Sequence, residues 1–288
     1  MTILENISLA EFTTLAVGGP ARWFIETDCG EGALAAFRFA RVQGVPYFVL
    51  GGGSNLLVSD DGFPGVVVRM AGKELGIRPL ERFGMTIVEA DAGVEWDAVV
   101  RAAVANNAAG IECLAGIPGT MGGGIRMNAG GKFGDIGSIV HSVQVMDGHG
   151  NLYIRQKDDL VFEYRTTNIS APFILGATLD MEPEEPERIL RKTKEIWMYK
   201  RNTQPLNTKN CGCIFKNPRG LSAGALIDQA GLKGMRVGGA EVSDKHANFV
   251  IAHSGCKADD VMKLIKLIRE KVWEKNEIHL ESEVKIWP

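Results

Sequence analysis

The clearest hydrophobic pattern in the chain lies near its C-terminal end, where apolar residues recur every three or four positions. This spacing is typical of one buried face of an α-helix. The stripe consists of Val261, Leu264, Ile265, Ile268 and Val272. The same periodicity predicts a helix over residues 31–43, which Gly44 and Pro46 end.

Further helices are predicted over 96–107 and 187–201, and between Ser222 as an N-cap and Gly231 as a stop. Other segments show the short apolar runs or the alternation that β-strands favour. They are 47–50, 55–58, 65–70, 85–93, a hairpin over 142–155, 173–181, 247–252 and 279–287. This mixture predicts an α+β fold.

Two features refine the strand and domain predictions. In 279–287, strand alternation would place Glu281 and Glu283 on one face. Pro183 and Pro186 interrupt the chain ahead of the basic helix over 187–201, and they indicate a domain boundary. A length of 288 residues exceeds the usual single-domain size, so two or three lobes are expected.

Charge and composition narrow the function classes. A net charge of -3 gives no general attraction for nucleic acid or anionic membranes. The N-terminal segment lacks the basic and apolar regions of a signal peptide, and no run approaches the roughly 18 apolar residues of a membrane helix. We therefore expect a cytoplasmic protein that binds neither nucleic acid nor membrane. Five scattered cysteines make a disulfide framework improbable.

The 35 glycines are concentrated in two segments, 51–53 followed by Ser-Asn, and 116–131. Successive backbone N–H groups in such a loop can converge on a phosphate, although a tight turn between strands explains the first segment equally well. Neither the G-x-G-x-x-G nor the G-x-x-x-x-G-K-[ST] motif occurs, which disfavours a Rossmann or P-loop site. Two glycine loops about seventy residues apart suit a long pyrophosphate ligand.

Cys211 and Cys213 are separated by a single glycine. A zinc site needs about four ligands, and only Cys256 and His253 are loose candidates for the others, so no metal is expected. A redox pair usually has the spacing Cys-x-x-Cys. The pattern leaves a reactive thiol and simple packing as alternatives.

Seven motifs in order resemble the MurB family, the UDP-N-acetylenolpyruvoylglucosamine reductases, and in length the shorter type II form. They are TTLAVGGPARWF, LGGGSNLLVSDDGFPGVVV, GIPGTMGGGIRMNAGGKFGDIG, YRTT, GCIFKNP, SAGALIDQAGLKGMRVGGAEVSDKHANFVI and LESEV. The resemblance covers the chain from about Thr13 to Val284.

The resemblance implies a two-lobed FAD-binding region of the p-cresol methylhydroxylase/vanillyl-alcohol oxidase type, over 1–69 and 70–183. A C-terminal α/β substrate-binding domain would cover 184–288, with the last few residues able to return to the first lobe. It also implies that NADPH reduces non-covalently bound FAD, and that the enolpyruvyl group of UDP-N-acetylglucosamine enolpyruvate is then reduced to UDP-N-acetylmuramate for peptidoglycan synthesis. No obligatory protein partner is implied.

Carried over by motif position, the resemblance implies three catalytic residues: Arg165 and Glu283 for the enolate, and Cys213 as proton donor where the family more often has serine. The implied substrate contacts are Asn217, Lys233 and His246. The implied FAD contacts are Gly51, Gly52, Gly53, Ser54, Asn55, Gly116, Gly119, Thr120, Gly122 and Gly123.

The residues also allow plainer interpretations. Arg165 taken alone reads as a surface arginine, His246 as a satisfied core histidine, and Cys211 as a packing residue. Two other functions stay open: a flavin oxidase or dehydrogenase of the same fold that acts on a sugar or hydroxy acid, and an inactive nucleotide-binding module. The first often attaches FAD through histidine, and neither glycine segment contains one.

Overall fold

The computed structural model of the protein describes residues 2–80 and 84–288. The α-helices in these residues are α1 Gly30–Gln43, α2 Trp96–Ala105, α3 Met121–Arg126, α4 Pro186–Thr203, α5 Ala223–Gln229 and α6 Ala258–Asn276. Short 3-10 helices lie at Leu9–Phe12, Glu112–Leu114, Ile136–Ile139 and Lys157–Asp159. No helix in the described ranges combines the length and the apolar character needed to cross a membrane.

The described strands include many of only two or three residues. They are β1 Ile3–Ser8, β2 Pro20–Thr27, β3 Tyr47–Leu50, β4 Leu56–Val58, β5 Phe63–Met70, β6 Leu75–Leu80, β7 Met85–Asp91, β8 Ala108–Ala109, β9 Gly130–Gly131, β10 Gly134–Asp135, β11 Val140–Met146, β12 Leu152–Gln156, β13 Phe162–Glu163, β14 Thr166–Thr167, β15 Phe173–Pro183, β16 Arg236–Val237, β17 Ala240–Val242, β18 Val250–Ala252 and β19 Lys285–Trp287.

Local sequence accounts for the ends of several elements. Gly44 adopts the left-handed conformation (φ +64°) that ends α1, and its N–H bonds to the last carbonyls of the helix. Ser222 caps α5 through a hydrogen bond that its side chain accepts from the Ala225 N–H. Asn107 has a φ of +57°, so the helix predicted over 96–107 ends earlier, at Ala105.

The sheets combine parallel and antiparallel pairs. A four-stranded sheet has the order β1-β2-β5-β3, with β3 parallel to β5. A larger antiparallel sheet has the order β12-β11-β15-β7-β6, and β8 also pairs with β15. Its β11–β12 pair is the hairpin that the sequence predicts. A third sheet has the order β16-β17-β18, and β19 pairs in parallel with β4.

The chain divides into two compact units. The first unit comprises Met1–Leu4, Trp23–Gly52 and Gly65–Tyr199, and the second comprises Glu5–Arg22, Gly53–Pro64 and Lys200–Pro288. Trp96 and Phe173 are among the largest side chains in the core of the first unit. In the second unit, the buried stripe of α6 packs in a core with Phe215. The predicted boundaries at 69/70 and 183/184 stay a prediction.

Two strand predictions were longer than the strands in the structure by three residues or more. The strand predicted over 247–252 spans only Val250–Ala252. The strand predicted over 279–287 begins at Lys285, and before it only Ser282 forms a bridge, to Phe215. The irregular backbone there breaks the strand alternation, so Glu281 is exposed while Glu283 is buried. The expectation that the two glutamates share a face was therefore wrong.

Candidate active site

In the first unit, the two glycine segments lie side by side. A Cβ atom at Gly51 would stand 2.8 Å from Thr120 Oγ1, and one at Gly52 would stand 3.0 Å from the Gly119 Cα. Gly116 and Gly119 adopt φ angles of +73° and +135°, which favour glycine. Glycine is therefore required where the end of β3 approaches the second segment.

Thr120 contributes an unsatisfied polar atom to this place. It occupies the N-cap position of α3, but its side chain makes no capping hydrogen bond. Its Oγ1 is buried and has no hydrogen-bond partner among the described residues. Buried hydroxyl groups normally have partners, so this atom fits a site that receives a polar ligand. A bare backbone beside an unpartnered hydroxyl suits the oxygen atoms of a phosphate or polyol ligand.

Two glycines at the start of α3 have a packing role. A Cβ at Gly122 would lie 2.9 Å from the Ala92 Cβ, and one at Gly124 would lie 2.0 Å from the buried indole of Trp96. At Gly123, in contrast, the nearest atom would be Thr120 Oγ1 at 3.6 Å. Within this segment Gly123 thus has the more open surface, whereas Gly122 brings α3 against the end of β7.

The rest of the first glycine loop belongs to the second unit. Gly53 has a φ of +61°, and a Cβ there would lie 2.0 Å from the Phe12 carbonyl oxygen. The Asn55 side-chain amide donates to the backbone carbonyl of Glu283 at 3.3 Å. Ser54 and Asn55 are half-buried. Asn55 therefore has a structural role at the segment that carries Glu283.

Arg165 lies in the two-residue turn between β13 and β14, in the first unit. Its φ of +59° is uncommon for a residue with a side chain. Its Nη1 donates to the Gly130 carbonyl at 3.0 Å, and its guanidinium stands 5.2 Å from the ring centre of Tyr164. The motifs YRTT and MNAGG are thus brought together.

Asn128 holds this hairpin to the glycine segment. It is buried, its Nδ2 donates to the Glu163 carbonyl at 3.0 Å, and its Oδ1 accepts from the Gly137 N–H at 3.0 Å. The sequence shows Asn128 as a polar group of the glycine segment, but not this positioning role. A lone asparagine carries no signal of a contact 35 residues away.

The two neighbouring cysteines have different surroundings in the second unit. Cys211 is buried in the core. Burial, with smaller contributions from the nearby Cys213 and Glu283, raises the pKa of the Cys211 thiol to about 12. Cys213 is only half-buried, and its backbone forms an isolated antiparallel β-bridge with the backbone of Phe249. In the part of the chain that the structure describes, no group of three or more His, Cys, Asp or Glu side chains is arranged to hold a metal ion.

Glu283 is buried beside the cysteine segment. Its backbone N–H donates to the Ile214 carbonyl at 2.8 Å. Glu281, in contrast, is exposed and pairs with Lys216 at 2.5 Å, and the hydrogen bond and charge of Lys216 lower the pKa of Glu281. Glu281 is therefore the ordinary solvated carboxylate, and the surroundings of Glu283 suit a functional one.

The three expected substrate contacts all lie in the second unit. Asn217 Oδ1 accepts from the Ala223 N–H at 3.0 Å, so this side chain also caps α5. Lys233 Nζ forms an ion pair with Asp228 at 2.7 Å.

His246 is half-buried and packs edge-on against Phe249, with ring centres 4.9 Å apart. Burial and the charge of Lys233 lower the pKa of the His246 imidazole, so Lys233 and His246 are electrostatic neighbours. The His246 Nδ1 accepts from the Asn248 N–H at 3.3 Å. A neutral ring in this arrangement presents Nε2–H as a donor.

Comparisons with known proteins match this organisation. Residues 29–154 match the FAD binding domain family, and residues 204–287 match the UDP-N-acetylenolpyruvoylglucosamine reductase, C-terminal domain family. UDP-N-acetylenolpyruvoylglucosamine reductase from Chlamydia muridarum is 37% identical over 289 residues, covering 100% of this chain and 95% of that protein. The same enzyme from Syntrophus aciditrophicus is 38% identical, covering 99% and 91%.

A solved structure agrees with the sequence relatives. The crystal structure of UDP-N-acetylenolpyruvylglucosamine reductase (MurB) from Thermus caldophilus superposes with a TM-score of 0.81 at 36% identity, covering 100% of this chain and 98% of that one. The chain belongs to the UDP-N-acetylenolpyruvoylglucosamine reductase family. The predicted resemblance to this family is confirmed, as are the predicted fold class and an FAD-dependent oxidoreductase.

Proposed function

We propose that this protein reduces the enolpyruvyl group of UDP-N-acetylglucosamine enolpyruvate to give UDP-N-acetylmuramate, with NADPH as reductant, in peptidoglycan precursor synthesis. Relatives named for this reductase match nearly the whole chain. The observation that carries the proposal is the backbone hydrogen bond from Glu283 to Ile214, because it holds a buried carboxyl group beside the segment of Cys213.

FAD fits the first unit at the contact of the two glycine segments, where Gly51, Gly52, Gly123 and the free Thr120 hydroxyl offer backbone and a hydrogen-bond partner. When bound there, FAD would supply the hydride chemistry, with NADPH as the source of the hydride and the terminal vinyl carbon of the substrate as its destination. The residues of the chain then have to stabilise charge, donate a proton and hold the substrate.

Arg165 is proposed to stabilise the negative charge that develops on the substrate carboxylate as the hydride adds. A fixed guanidinium favours the transition state over the ground state because that charge grows along the reaction. Its planar fork also matches carboxylate geometry. The strained backbone at Arg165 fits this role, since such conformations cluster at functional sites.

Cys213 is proposed to donate the proton to the carbon next to the one that receives the hydride. An ordinary thiol, with a pKa of about 8.5, is mostly protonated at neutral pH and is a stronger acid than an alcohol. The resulting thiolate regains its proton from solvent. Glu283 would assist at the enolate, and Asn217, Lys233 and the Nε2–H of His246 would contact the substrate.

Anaerobic half-reactions test this proposal. The purified protein should be yellow, NADPH should bleach the flavin, and UDP-N-acetylglucosamine enolpyruvate should restore its absorbance. In Cys213→Ala, bleaching by NADPH should persist while reoxidation by substrate falls by about 10²–10⁴-fold, the usual value of a general acid. A protein that stays colourless after reconstitution with FAD would contradict the proposal. Equal loss of both half-reactions in the variant would make Cys213 structural.

A further inference from the structure

Asn248 makes four short contacts around the candidate proton donor. Its side chain is 2% exposed. Its Nδ2 donates to the Phe215 carbonyl at 2.8 Å, and its Oδ1 accepts from the Phe215 N–H at 3.0 Å. Its backbone carbonyl accepts from the Ile214 N–H at 2.8 Å, and its backbone N–H donates to His246 Nδ1 at 3.3 Å. One residue thus touches both the cysteine segment and the histidine.

The side-chain amide of Asn248 bonds to the Phe215 backbone much as a paired strand would. It satisfies both backbone groups of Phe215 where water is excluded, and it uses its own oxygen and nitrogen in doing so. Because the Oδ1 accepts and the Nδ2 donates, the amide is fixed in one orientation. The backbone at Phe215, two residues after Cys213, is held in place by the same two bonds.

The same contacts extend to the other proposed residues. The Ile214 N–H bonds to Asn248, while the Ile214 carbonyl accepts from Glu283 at 2.8 Å. The backbone of Cys213 forms a β-bridge with that of Phe249, the residue after Asn248. Displacement of Asn248 would therefore move Cys213, Glu283 and the His246 ring relative to one another.

We propose that Asn248 is a positioning residue that holds the Cys213 thiol and the His246 Nε2–H at a fixed separation for the protonation step. This inference rests on the proposed function. Misplacement by about 1 Å can slow a reaction by about 10²-fold, so the proton transfer should be sensitive to this residue. Reduction of the flavin by NADPH should not be sensitive to Asn248, because the contacts of Asn248 are with the segments of Cys213 and His246.

The test uses the FAD-loaded variants Asn248→Asp and Asn248→Ser. Asp keeps the acceptor for the Phe215 N–H but opposes the Phe215 carbonyl with a second oxygen, whereas Ser offers a single neutral hydroxyl to the two backbone groups. Leu264→Ala is the control, because it truncates a fully buried side chain of α6 in the same core but removes none of these hydrogen bonds. Melting temperatures place the three variants on one stability scale.

In Asn248→Asp, NADPH should reduce the flavin at a rate within about twofold of the wild-type rate. The substrate should reoxidise this flavin about 10²-fold more slowly than in wild type, and the reoxidation should show a larger solvent deuterium isotope effect. The rate of flavin reoxidation in Asn248→Ser should lie between the rates of Asn248→Asp and wild type. Leu264→Ala should keep both rates below its melting temperature. Equal slowing of both half-reactions, or normal reoxidation in Asn248→Asp, would overturn the inference.

A second measurement does not depend on turnover. The rate at which iodoacetamide modifies Cys213, followed by peptide mass spectrometry, should change at least about threefold in Asn248→Asp and stay constant in Leu264→Ala. An unchanged rate would show that Asn248 does not position the thiol. If wild-type flavin is not reoxidised by the substrate, the proposed function fails, and the role in protonation fails with it. The labelling result separates the two failures.

Discussion

Cys211 and Cys213 differ in burial, and we expect their thiols to differ in reactivity for that reason. Burial raises the pKa of the Cys211 thiol to about 12, so almost no thiolate forms there at neutral pH, and the thiolate is the reactive species. Cys213 is half-buried and lies outside the regular strands, in an isolated β-bridge with Phe249. We therefore expect the Cys213 thiol, unlike that of Cys211, to be open to alkylation.

We predict that iodoacetamide inactivates the wild-type protein at pH 8 and that Cys213→Ser keeps activity under the same treatment. Peptide mass spectrometry should find Cys213 and the exposed Cys29 modified, and Cys211 modified only after unfolding. Activity should be lost in step with labelling of Cys213. Inactivation of Cys213→Ser at the wild-type rate would assign the effect to another cysteine.

Arg165 combines a side chain with a proposed catalytic role and an unfavourable backbone conformation. A φ of +59° costs a residue with a side chain about 1–3 kcal/mol, and glycine adopts it freely. Arg165→Gly should therefore match or exceed the wild-type melting temperature, despite losing the bond to Gly130, while kcat falls at least about 10²-fold. Arg165→Lys, which keeps the charge and the strain, separates the two effects. A large drop in the melting temperature of Arg165→Gly would show that the guanidinium is chiefly structural.

At the scale of elements, β3 and α3 meet through atoms that leave no room for a side chain. Gly51→Ala would place a methyl group 2.8 Å from Thr120 Oγ1. We expect its Kd for FAD, measured by flavin fluorescence, to rise at least about tenfold, because one tenfold step corresponds to about 1.4 kcal/mol of lost contact. The matched control is Gly76→Ala in β6, where a Cβ meets nothing within 4 Å. Equal Kd values for the two variants would remove Gly51 from the FAD site.

Removal of the Thr120 hydroxyl should change the stability of the protein and its affinity for FAD in opposite senses. A buried hydroxyl without a partner costs roughly 1–3 kcal/mol, and the ligand-free protein carries this cost at Thr120 Oγ1. Thr120→Val should therefore raise the melting temperature of the FAD-free protein. It should also weaken FAD binding about fivefold, the value of one hydrogen bond of about 1 kcal/mol. Weaker binding without added stability would mean that water or a side chain satisfies the hydroxyl.

The elements with a long repeating pattern were predictable, and the short ones were not. The stripe of α6 and the glycine stop of α1 are local signals, and both elements appear as expected. The hairpin that carries Arg165 has two residues in each strand, too few for any periodicity. The segment before β19 alternates like a strand, but it follows contacts with the Phe215 backbone and the Asn55 side chain, which no local pattern encodes.

The candidate site was predictable in its residue types more than in its support. Glycine segments and the motif positions of Cys213 and Glu283 can be found along the chain. Asn128 and Asn248 cannot, because their role is to satisfy backbone groups 35 and 33 residues away, respectively. Contacts at that separation depend on the completed fold.

At the scale of the whole molecule, the division into two units joins distant parts of the chain. Residues 5–22 and 53–64 belong with the C-terminal part, and β19 pairs with β4 across more than two hundred positions. Leu280 and Val284, which precede β19, lie in the core of the second unit together with Leu57. We expect the stability of this unit to respond to His246, a half-buried ring that packs against Phe249.

His246 gives the stability a defined pH dependence. Its pKa is lowered in the folded protein, chiefly by burial and also by Lys233, whereas in the unfolded chain it is about 6.5. Above pH 6.5 the ring is neutral in both states, and its full contribution to stability is present. As the pH falls through the folded pKa, the unfolded chain has already bound the proton that the folded protein resists, so stability is lost.

Urea unfolding at pH 7.5 and pH 5 should therefore show a smaller loss in the free energy of unfolding for His246→Gln than for wild type. The other four histidines are common to both proteins, so the difference between the two slopes belongs to His246; equal slopes would show that this ring titrates normally in the folded state.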